Sequence, residues 1–366
     1  MIRAGNGVGI DDFYLARPRI RGMARYVQNL KRVIGDELQG LSPLKESASG
    51  TAWRRLACRV FPTWEQFILP RVITERRLGA CIFPYNTGPI KLASAVGYIV
   101  VIHDTIFLGH SALKGSPGRV LGASYRRLVS RQAAARADLI LTVSNTTREL
   151  IINQYLVDET RVKTVYNTVT AAFAQAAQSG RGIPSGYLLS VTGTSPNKNL
   201  ARLLESYAVY RQTGGTLRLR VAGLSDKEVL AFEHKRRSRG DFNGVEFLGM
   251  IDDTQLVEQY RNANGFVFPS IEEGFGIPLI EAMACKIPIA CSGSSCLPEI
   301  AGDAALYFDP NSVEAMARAM DALGADTAGN RRRVVVGSDR FCRFAPAAFE
   351  ERVKSVWELI KSEICR

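Results

Sequence analysis

Short apolar runs alternate with longer segments of helical periodicity along most of the chain. Before residue 170, the apolar runs predict strands at Val8–Asp11, Ala80–Tyr85, Tyr98–His103 and Leu139–Ser144. The longer segments predict helices at Gly22–Val33, Pro117–Ala137 and Asn145–Tyr155, the last of them capped by Ser144. The first strand is the most polar of the four, because Asn6, Asp11 and Asp12 lie in or beside it.

The alternation is more regular in the second half. The strand candidates there are Tyr187–Thr192, Leu217–Ala222, Val245–Leu248, Gly265–Pro269, Ile287–Cys291 and Ala305–Phe308. The helix candidates are Asn199–Gln212, Asp226–Arg237, Thr254–Asn264, Ile277–Cys285 and Ser312–Leu323. Strands that alternate with helices of this length predict right-handed parallel units in a covered sheet. We therefore expect an α/β protein of two Rossmann-like domains with parallel sheets that face a cleft, with ligands at the carboxyl ends of the strands.

A small, polar segment separates the two halves. Residues 171–186 (AAFAQAAQSGRGIPSG) have the composition of a linker. We expect an N-terminal acceptor-binding domain over residues 1–175 and a C-terminal nucleotide-sugar-binding domain over residues 183–345. The final helix, within residues 346–366, is a candidate for packing back on the first domain.

Composition excludes several classes of protein. The chain has 366 residues, of which 46% are apolar and 22% charged, which fits a globular protein and not a disordered or fibrous one. No apolar run approaches the roughly 20 residues of a membrane span, and the first 20 residues do not resemble a signal peptide. The seven cysteines form no close pair, which favours reduced thiols in the cytosol, and we expect no metal site and no cofactor.

The positive charge is confined to one half of the chain. The net charge is +12, and residues 1–180 hold 24 Lys/Arg against 12 Asp/Glu, so the second half is neutral on balance. An excess of this kind is typical of a surface that meets an anionic membrane, nucleic acid or a phosphorylated substrate.

The segment from Ile271 to Pro310 carries the sharpest candidate chemistry. A strand leads into Glu273, Gly274, Phe275 and Gly276, and a helix with Glu281 in its second turn follows. Glycine backbone amides at a helix start favour an anion, and two carboxylates suit bidentate hydrogen bonds to sugar hydroxyls. The alternative is that both glutamates are ordinary solvated charges.

Three other segments carry candidate residues. In SVTGTSPNKNL, Thr194 and Lys198 lie between a strand and a helix that Asn199 is expected to cap, a place that suits a diphosphate. His103 follows a strand of the first domain, and Asp104 is expected to orient its imidazole. Gly22 follows a basic loop and permits a close approach of phosphate or acceptor to the backbone. Each has a plain alternative: a solvated lysine, a structural histidine and a solvated basic loop.

A stripe of apolar residues begins at Trp53 and extends to Ile68. Its members, at intervals of three and four, are Trp53, Leu56, Val60, Phe61, Trp64, Phe67 and Ile68, and Arg54, Arg55 and Arg59 lie off the stripe. This pattern is shared by helices that lie on a membrane surface and by core helices with a basic outer face. We favour core packing, with membrane contact as an added role of the basic face.

Together these segments resemble glycosyltransferase family 4, retaining enzymes of the two-Rossmann GT-B architecture. EGFGIPLIEAMA is similar to the family's Glu-x7-Glu signature, LPEIAGDAALYFDP to the stretch after it, and SPNKNL to its phosphate-binding lysine segment. VSNTTRELI with VYNT, WEQFILPRVI and VIHDT also resemble segments of bacterial members. The resemblance covers most of the chain.

The resemblance implies a role for each matching residue. Glu273 would hydrogen-bond the donor sugar and stabilise developing positive charge, and His103 would contact the same sugar from the acceptor side. Glu281 would bind the nucleotide ribose, and Lys198 would neutralise the diphosphate. The remaining substrate-binding residues would be Gly22, Thr194, Gly274, Phe275, Gly276 and Leu297.

The family pattern is not complete. Asn197 stands where the family often has arginine, and Ser195 stands where an acidic residue is common, so the second cation of the phosphate site is open. The resemblance implies metal-independent transfer of a hexose from a nucleoside diphosphate, for which we favour GDP-mannose. The implied acceptor is lipid-linked or a saccharide in cell-surface polysaccharide synthesis. The implied location is cytoplasmic, peripheral on the inner face of the membrane, with the basic domain on anionic lipid.

Two other classes of function remain open from the sequence. A sugar-nucleotide epimerase or a phosphorylase of the same architecture would carry the same motifs. A nucleic-acid-binding protein would explain the positive charge, but no nucleic-acid-binding motif is found and we expect no such partner. A dehydrogenase is disfavoured because the early glycines precede the first strand and form no GxGxxG.

Overall fold

The structure is a computed structural model, and it describes residues 7–15, 21–44, 58–109, 117–239, 243–325 and 327–364. The chain divides into two compact units. Unit 1 comprises Met1–Asn167 and Phe349–Arg366, and unit 2 comprises Thr168–Ala348. The division falls after Asn167, eight residues before the end of the first domain that composition suggested.

Unit 1 is built on a six-stranded parallel sheet. Its strands are β1 (Val8–Asp11), β2 (Leu38–Leu41), β3 (Ala80–Phe83), β4 (Gly97–Ile102), β5 (Leu139–Thr142) and β6 (Val162–Thr164). They lie in the order β2-β1-β3-β4-β5-β6. The polar first strand is confirmed, and all four of its residues are buried. Burial at every position of a strand is typical of parallel sheets that helices cover on both faces.

The described helices of unit 1 that precede unit 2 in the sequence connect these strands. They are α1 (Arg21–Ile34), α2 (Leu69–Glu75), α3 (Pro117–Arg136) and α4 (Asn145–Tyr155). Ser144 caps α4 as predicted, because its hydroxyl accepts a hydrogen bond from the Thr147 amide.

The apolar stripe is only partly a core feature. A π-helical turn over Trp64–Ile68 leads into α2, and Trp64 and Ile68 are buried in it while Phe67 is 56% exposed. Val60 is also exposed. Trp53, Arg54, Arg55 and Leu56 lie outside the described residues, so the proposed basic face of this segment stays a prediction.

Unit 2 has a second six-stranded parallel sheet. Its strands are β7 (Tyr187–Val191), β8 (Arg218–Ala222), β9 (Val245–Gly249), β10 (Gly265–Phe268), β11 (Ile289–Ser292) and β12 (Ala305–Phe308). The spatial order is β12-β11-β10-β7-β8-β9, so the chain reverses its direction across the sheet between β7 and β10. This is the doubly-wound Rossmann order, in which ligands bind where the carboxyl ends of the two central strands separate.

Eight described helices belong to unit 2. They are α5 (Ala171–Gln178), α6 (Leu200–Gln212), α7 (Asp226–Arg239), α8 (Asp253–Arg261), α9 (Ile277–Ala284), α10 (Leu297–Ala301), α11 (Val313–Gly324) and α12 (Ala328–Phe341). Helices α6 and α11 pack against each other over a core that includes Leu203, Tyr207, Met316 and Met320. The architecture is therefore two parallel six-stranded α/β units, as predicted.

The first half of the expected linker is a packed helix. Helix α5 lies against α8 and α9, and Phe173 is fully buried with its ring 5.6 Å from that of Tyr260. The composition misled because alanine, which looks like linker material here, is also the strongest helix former. The segment after α5 is also held, since Lys286 Nζ donates to the Ser179 carbonyl at 2.8 Å.

One more helix returns to unit 1. Helix α13 (Pro346–Leu359) continues into a π-helical turn over Ile360–Ile364, and residues from Phe349 onward belong to unit 1. The Phe349 ring lies 6.0 Å from that of Tyr26 on α1, and Trp357 Nε1 donates to Glu37 at 3.2 Å. None of the helices in the described ranges combines the length and the apolar character needed to cross a membrane.

Candidate functional site

Two loops of unit 2 meet where β7 and β10 end. The loop after β7 and the loop after β10 are joined by backbone and side-chain hydrogen bonds. The Ile271 amide donates to the Asn197 carbonyl at 2.8 Å, and Asn197 Nδ2 donates to the Glu272 carbonyl at 3.1 Å. Asn197 stands where the family often has arginine, and here it joins the two loops.

Lys198 and Glu273 form an ion pair across these loops. Lys198 Nζ lies 2.6 Å from Glu273 Oε1, although the two residues are 75 positions apart in the sequence. The side chain of Lys198 is 30% exposed and that of Glu273 is 12% exposed, so the pair is partly shielded from solvent. The ammonium also lies 5.9 Å from the ring centroid of Phe268, the last residue of β10.

Asn199 does not cap α6 with its side chain, so that prediction was wrong. It occupies the position before the helix in the left-handed conformation, with φ +58°. Its side-chain amide instead donates to the carbonyls of Pro269, at 3.1 Å, and Pro310, at 2.8 Å. Those contacts tie the lysine loop to the chain segments that follow β10 and β12.

The glycine loop, residues Gly274–Gly276 after Glu273, is buried and packs against Phe344 and Leu297. Gly274, Phe275 and Gly276 are buried, and the Phe275 ring lies 5.7 Å from that of Phe344 in an edge-to-face arrangement. Gly276 has φ +93° and precedes the first residue of α9, and a Cβ atom there would lie 2.9 Å from Leu297 Cδ2. Glycine is therefore required by both backbone and packing. Leu297, which is fully buried, packs against this glycine.

Glu281 lies in the second turn of α9, as the spacing predicted, but its observed contact is with another helix. Its side chain is buried, with the residue 3% exposed, and Oε2 accepts a hydrogen bond from the Tyr260 hydroxyl at 3.1 Å. A buried carboxylate requires such partners.

Thr194 lies at the outer side of the same region. It is exposed, and its hydroxyl donates to Glu228 near the start of α7, whose carboxylate also accepts from the Ser225 amide at 2.7 Å. A groove of about 1000 Å³ runs from Thr194 along α6 to Phe232. Neither Lys198 nor Glu273 is among the residues that line the described part of this groove, so we place the candidate site at the ion pair.

His103 lies in unit 1 at the end of β4. Its ring is buried, and Nε2 lies 2.9 Å from the Pro84 carbonyl, which can only accept, so the proton is on Nε2. Burial lowers the pKa of His103 to about 4, although the Pro84 hydrogen bond opposes that shift. The imidazole is therefore neutral at physiological pH, and Nδ1 is a hydrogen-bond acceptor. Asp104, which was expected to orient the ring, accepts from the Ile106 amide at 3.2 Å.

Asn86 is a residue that the sequence did not single out. It is buried, with φ +67°, and its Oδ1 accepts a hydrogen bond from the His103 amide at 2.6 Å. The loop after β3 therefore holds His103 twice, at the ring by Pro84 and at the backbone by Asn86. The only signal in the sequence is the tolerance of asparagine for left-handed backbone.

Gly22 is the second residue of α1 in unit 1. It is exposed, and no described protein atom would lie within 4 Å of a Cβ atom there. The described part of the chain therefore does not require glycine at this position.

Of the predicted site residues, the structure brings Lys198 directly against Glu273, and Leu297 against Gly276. Glu281 and Thr194 belong to the same unit but have other partners, and His103 and Gly22 belong to unit 1. Within the described ranges, no group of three or more His, Cys, Asp or Glu side chains is arranged to hold a metal ion.

Comparison with known proteins bears on the family and the fold of the chain. The model of the family described as Glycosyl transferases group 1 matches residues 175–336, and that of Glycosyltransferase Family 4 matches residues 81–173. The O-antigen chain mannosyltransferase B of Escherichia coli is 33% identical over 191 residues, which cover 49% of this chain and 50% of that protein. The chain thus spans about half the length of the curated relatives it matches.

Solved structures show the same fold. The sucrose-phosphate synthase of Thermosynechococcus elongatus is 15% identical with a TM-score of 0.73, covering 98% of this chain and 99% of that one. Anabaena HepE, solved in complex with UDP-glucose, is 14% identical with a TM-score of 0.66, covering 96% and 99%. The two family models together span most of the chain, and the two Rossmann-type units have the GT-B fold. The chain belongs to the group 1 and family 4 glycosyltransferases.

Proposed function

We propose that the protein transfers a hexose, mannose, from a nucleoside diphosphate to a saccharide or lipid-linked acceptor in cell-surface polysaccharide synthesis, with retention at the anomeric carbon. The observation that supports this most directly is the ion pair of Lys198 and Glu273. It lies at the carboxyl ends of β7 and β10, the place in a Rossmann sheet where nucleotides bind.

Lys198 is suited to hold the diphosphate. Its ammonium has three N–H donors, one of which is directed to Glu273 Oε1 in the structure, so the others are suited to phosphate oxygens. The glycine loop at the start of α9 adds backbone amides beside a helix N-terminus, which favours an anion. A diphosphate is an acidic leaving group that needs charge neutralisation more than a proton. The reaction that we propose therefore proceeds without a metal ion.

Glu273 is suited to the sugar. One carboxylate oxygen is paired with Lys198, and the other is a strong acceptor for a sugar hydroxyl. A negative charge beside the sugar also stabilises the positive charge that develops at the anomeric carbon in an oxocarbenium-like transition state. In the proposed step, the bond from that carbon to the phosphate oxygen breaks while a bond to the acceptor oxygen forms on the same face. The acceptor proton passes to the departing phosphate.

The proposed donor and acceptor follow the relatives. The Escherichia coli relative is described as an O-antigen chain mannosyltransferase, which supports mannose as the sugar and a growing surface polysaccharide as the acceptor. HepE was solved with UDP-glucose, which supports a nucleoside diphosphate sugar as the donor class for this fold. GDP-mannose is the donor that we propose.

The remaining assignments rest on the family resemblance and on the charge distribution. Neutral His103 would accept a hydrogen bond from a substrate hydroxyl at Nδ1, and Glu281 would bind the ribose. Gly22 would leave room for the donor phosphate. The basic excess within residues 1–180 would draw the protein to anionic lipid on the inner face of the cytoplasmic membrane, each basic residue near the surface contributing up to about 1 kcal/mol.

The carboxylate and the lysine should affect different measurements. With membranes as the source of acceptor and labelled GDP-mannose as the donor, Glu273→Gln should slow transfer by about a hundredfold, the scale of losing one transition-state stabiliser. Lys198→Ala should instead weaken the binding of GDP, measured by calorimetry. Glu272→Gln and the exposed Lys227→Ala are the matched controls and should behave as wild type. Normal transfer by Glu273→Gln would refute its assigned role. Because the proposed reaction needs no metal ion, EDTA should change none of these results.

Gly22→Ala tests for a ligand near α1. Because no described protein atom lies within 4 Å of the added Cβ, the unfolding temperature should not fall. The KM for the donor should nevertheless rise about tenfold if phosphate approaches this backbone. Gly118→Ala, at the second residue of α3 and equally open, is the control. Equal KM values for the two variants would remove Gly22 from the site.

The buried imidazole gives a pH dependence of stability. The pKa of His103 is about 4 in the folded protein and ordinarily about 6.5 when unfolded. Between these values the unfolded chain binds a proton that the folded chain does not, so stability should be lost as the pH falls from 6.5 towards 4. The loss amounts to about 3 kcal/mol for this one group. Urea unfolding at several pH values should show a smaller acid loss for His103→Gln, and equal losses would contradict the buried neutral ring.

Membrane attachment should be electrostatic. Sedimentation with vesicles of phosphatidylglycerol should capture the protein at low salt and release it as salt is raised, because exposed charges are screened over about 8–10 Å at physiological ionic strength. Vesicles of neutral phosphatidylcholine are the control. Capture that is insensitive to salt, or equal on both lipids, would contradict attachment through the basic half.

A further inference from the structure

Ser295 holds the backbone of Glu273 from a third loop. It lies between β11 and α10, and its single hydroxyl makes two hydrogen bonds to the same residue. Ser295 Oγ accepts from the Glu273 amide at 3.2 Å and donates to the Glu273 carbonyl at 2.8 Å. Both backbone hydrogen-bonding groups of the glutamate are therefore engaged by one side chain.

The backbone of Ser295 is in an unusual conformation for this contact. Its φ is +58°, in the left-handed region, which is unfavourable for a residue with a Cβ atom and which glycine adopts readily. Ser295 is exposed, so the residue contributes little to the core. A serine at a position that favours glycine therefore needs another reason, and the two hydrogen bonds to Glu273 supply one.

The residues after Ser295 support the same loop. The Cys296 thiol donates to the Glu273 carbonyl at 3.2 Å, and burial raises the pKa of this thiol well above its usual range, so it stays protonated. Leu297 then lies against Gly276. The segment Ser295–Leu297 thus contacts and supports the loop that carries Glu273.

The support from Ser295–Leu297 matters because Lys198, which holds the Glu273 side chain, also has a proposed role in binding the diphosphate. Its carboxylate is held by Lys198, and in the proposed function the same ammonium turns to the diphosphate. A carboxylate fixed only by that lysine would shift when the donor binds or leaves. An anchor on the backbone does not depend on the ligand, and small displacements of a catalytic group cost large factors in rate.

We propose that Ser295 is a positioning residue for transfer, acting through Glu273 by fixing its backbone while Lys198 exchanges between carboxylate and diphosphate. The inference rests on the proposed function, because it takes Glu273 as the group that stabilises the transition state.

The test compares two substitutions with a neighbour. Ser295→Ala removes the hydroxyl, and Ser295→Gly removes the hydroxyl together with the left-handed strain, which offsets part of the stability lost with the two hydrogen bonds. With GDP-mannose and membranes as acceptor, both should lower kcat about tenfold and change the KM for the donor less than twofold. GDP binding by calorimetry should be unchanged. Ser294→Ala, one residue earlier in the same loop, should keep the kcat of wild type.

A double-mutant cycle separates positioning from a general structural role. In the Glu273→Gln background, adding Ser295→Ala should lower kcat by less than twofold more, because a residue that acts through Glu273 has nothing left to position. A further tenfold loss, or full kcat in Ser295→Ala and Ser295→Gly, would overturn the inference alone. Full activity of Glu273→Gln itself would overturn both the inference and the assigned role of Glu273.

Discussion

The candidate site depends on the adjacency of β7 and β10 in the sheet of unit 2. The loops that follow these strands are 75 residues apart in sequence, and only the doubly-wound strand order places Lys198 against Glu273. The amides of Asn197 and Asn199 then fix the lysine loop to the neighbouring backbone. The ammonium of Lys198 and the carboxylate of Glu273 are thereby held together at the carboxyl ends of these two strands.

The ion pair of Lys198 and Glu273 contributes little to stability. A partly exposed lysine–carboxylate pair contributes about 0–1 kcal/mol to folding. The two loops are already joined by the Ile271 amide and by both asparagine side chains. The fold therefore has little need of the pair, whereas in the proposed function the diphosphate takes Lys198 and the developing positive charge takes Glu273. The ion pair also means that neither charge is left without a partner in the absence of a ligand.

The sequence predicted the architecture because apolar periodicity and strand–helix alternation are local properties. It also placed Lys198 and Glu273 on loops that follow strands of unit 2, where the structure has them, since glycine, lysine and glutamate beside a strand end have recognisable spacing. Their roles in the reaction stay a prediction. It failed where local composition is ambiguous: the alanine-rich segment of α5 looked like a linker, yet Phe173 anchors it to the core. The contacts of Asn86, Asn199 and Ser295 were not predictable, because their partners come from distant segments.

Helix α13 has a consequence for biosynthesis. The chain leaves unit 1 after Asn167, completes unit 2, and returns at Phe349, so the Tyr26 ring and the Glu37 carboxylate wait for partners that follow them by more than 300 residues. During translation, unit 2 has all its residues before unit 1 does. Unit 1 is therefore synthesised first and completed last. A chain that stops near residue 345 would contain nearly all of unit 2 but would lack the helix that packs on the N-terminal unit.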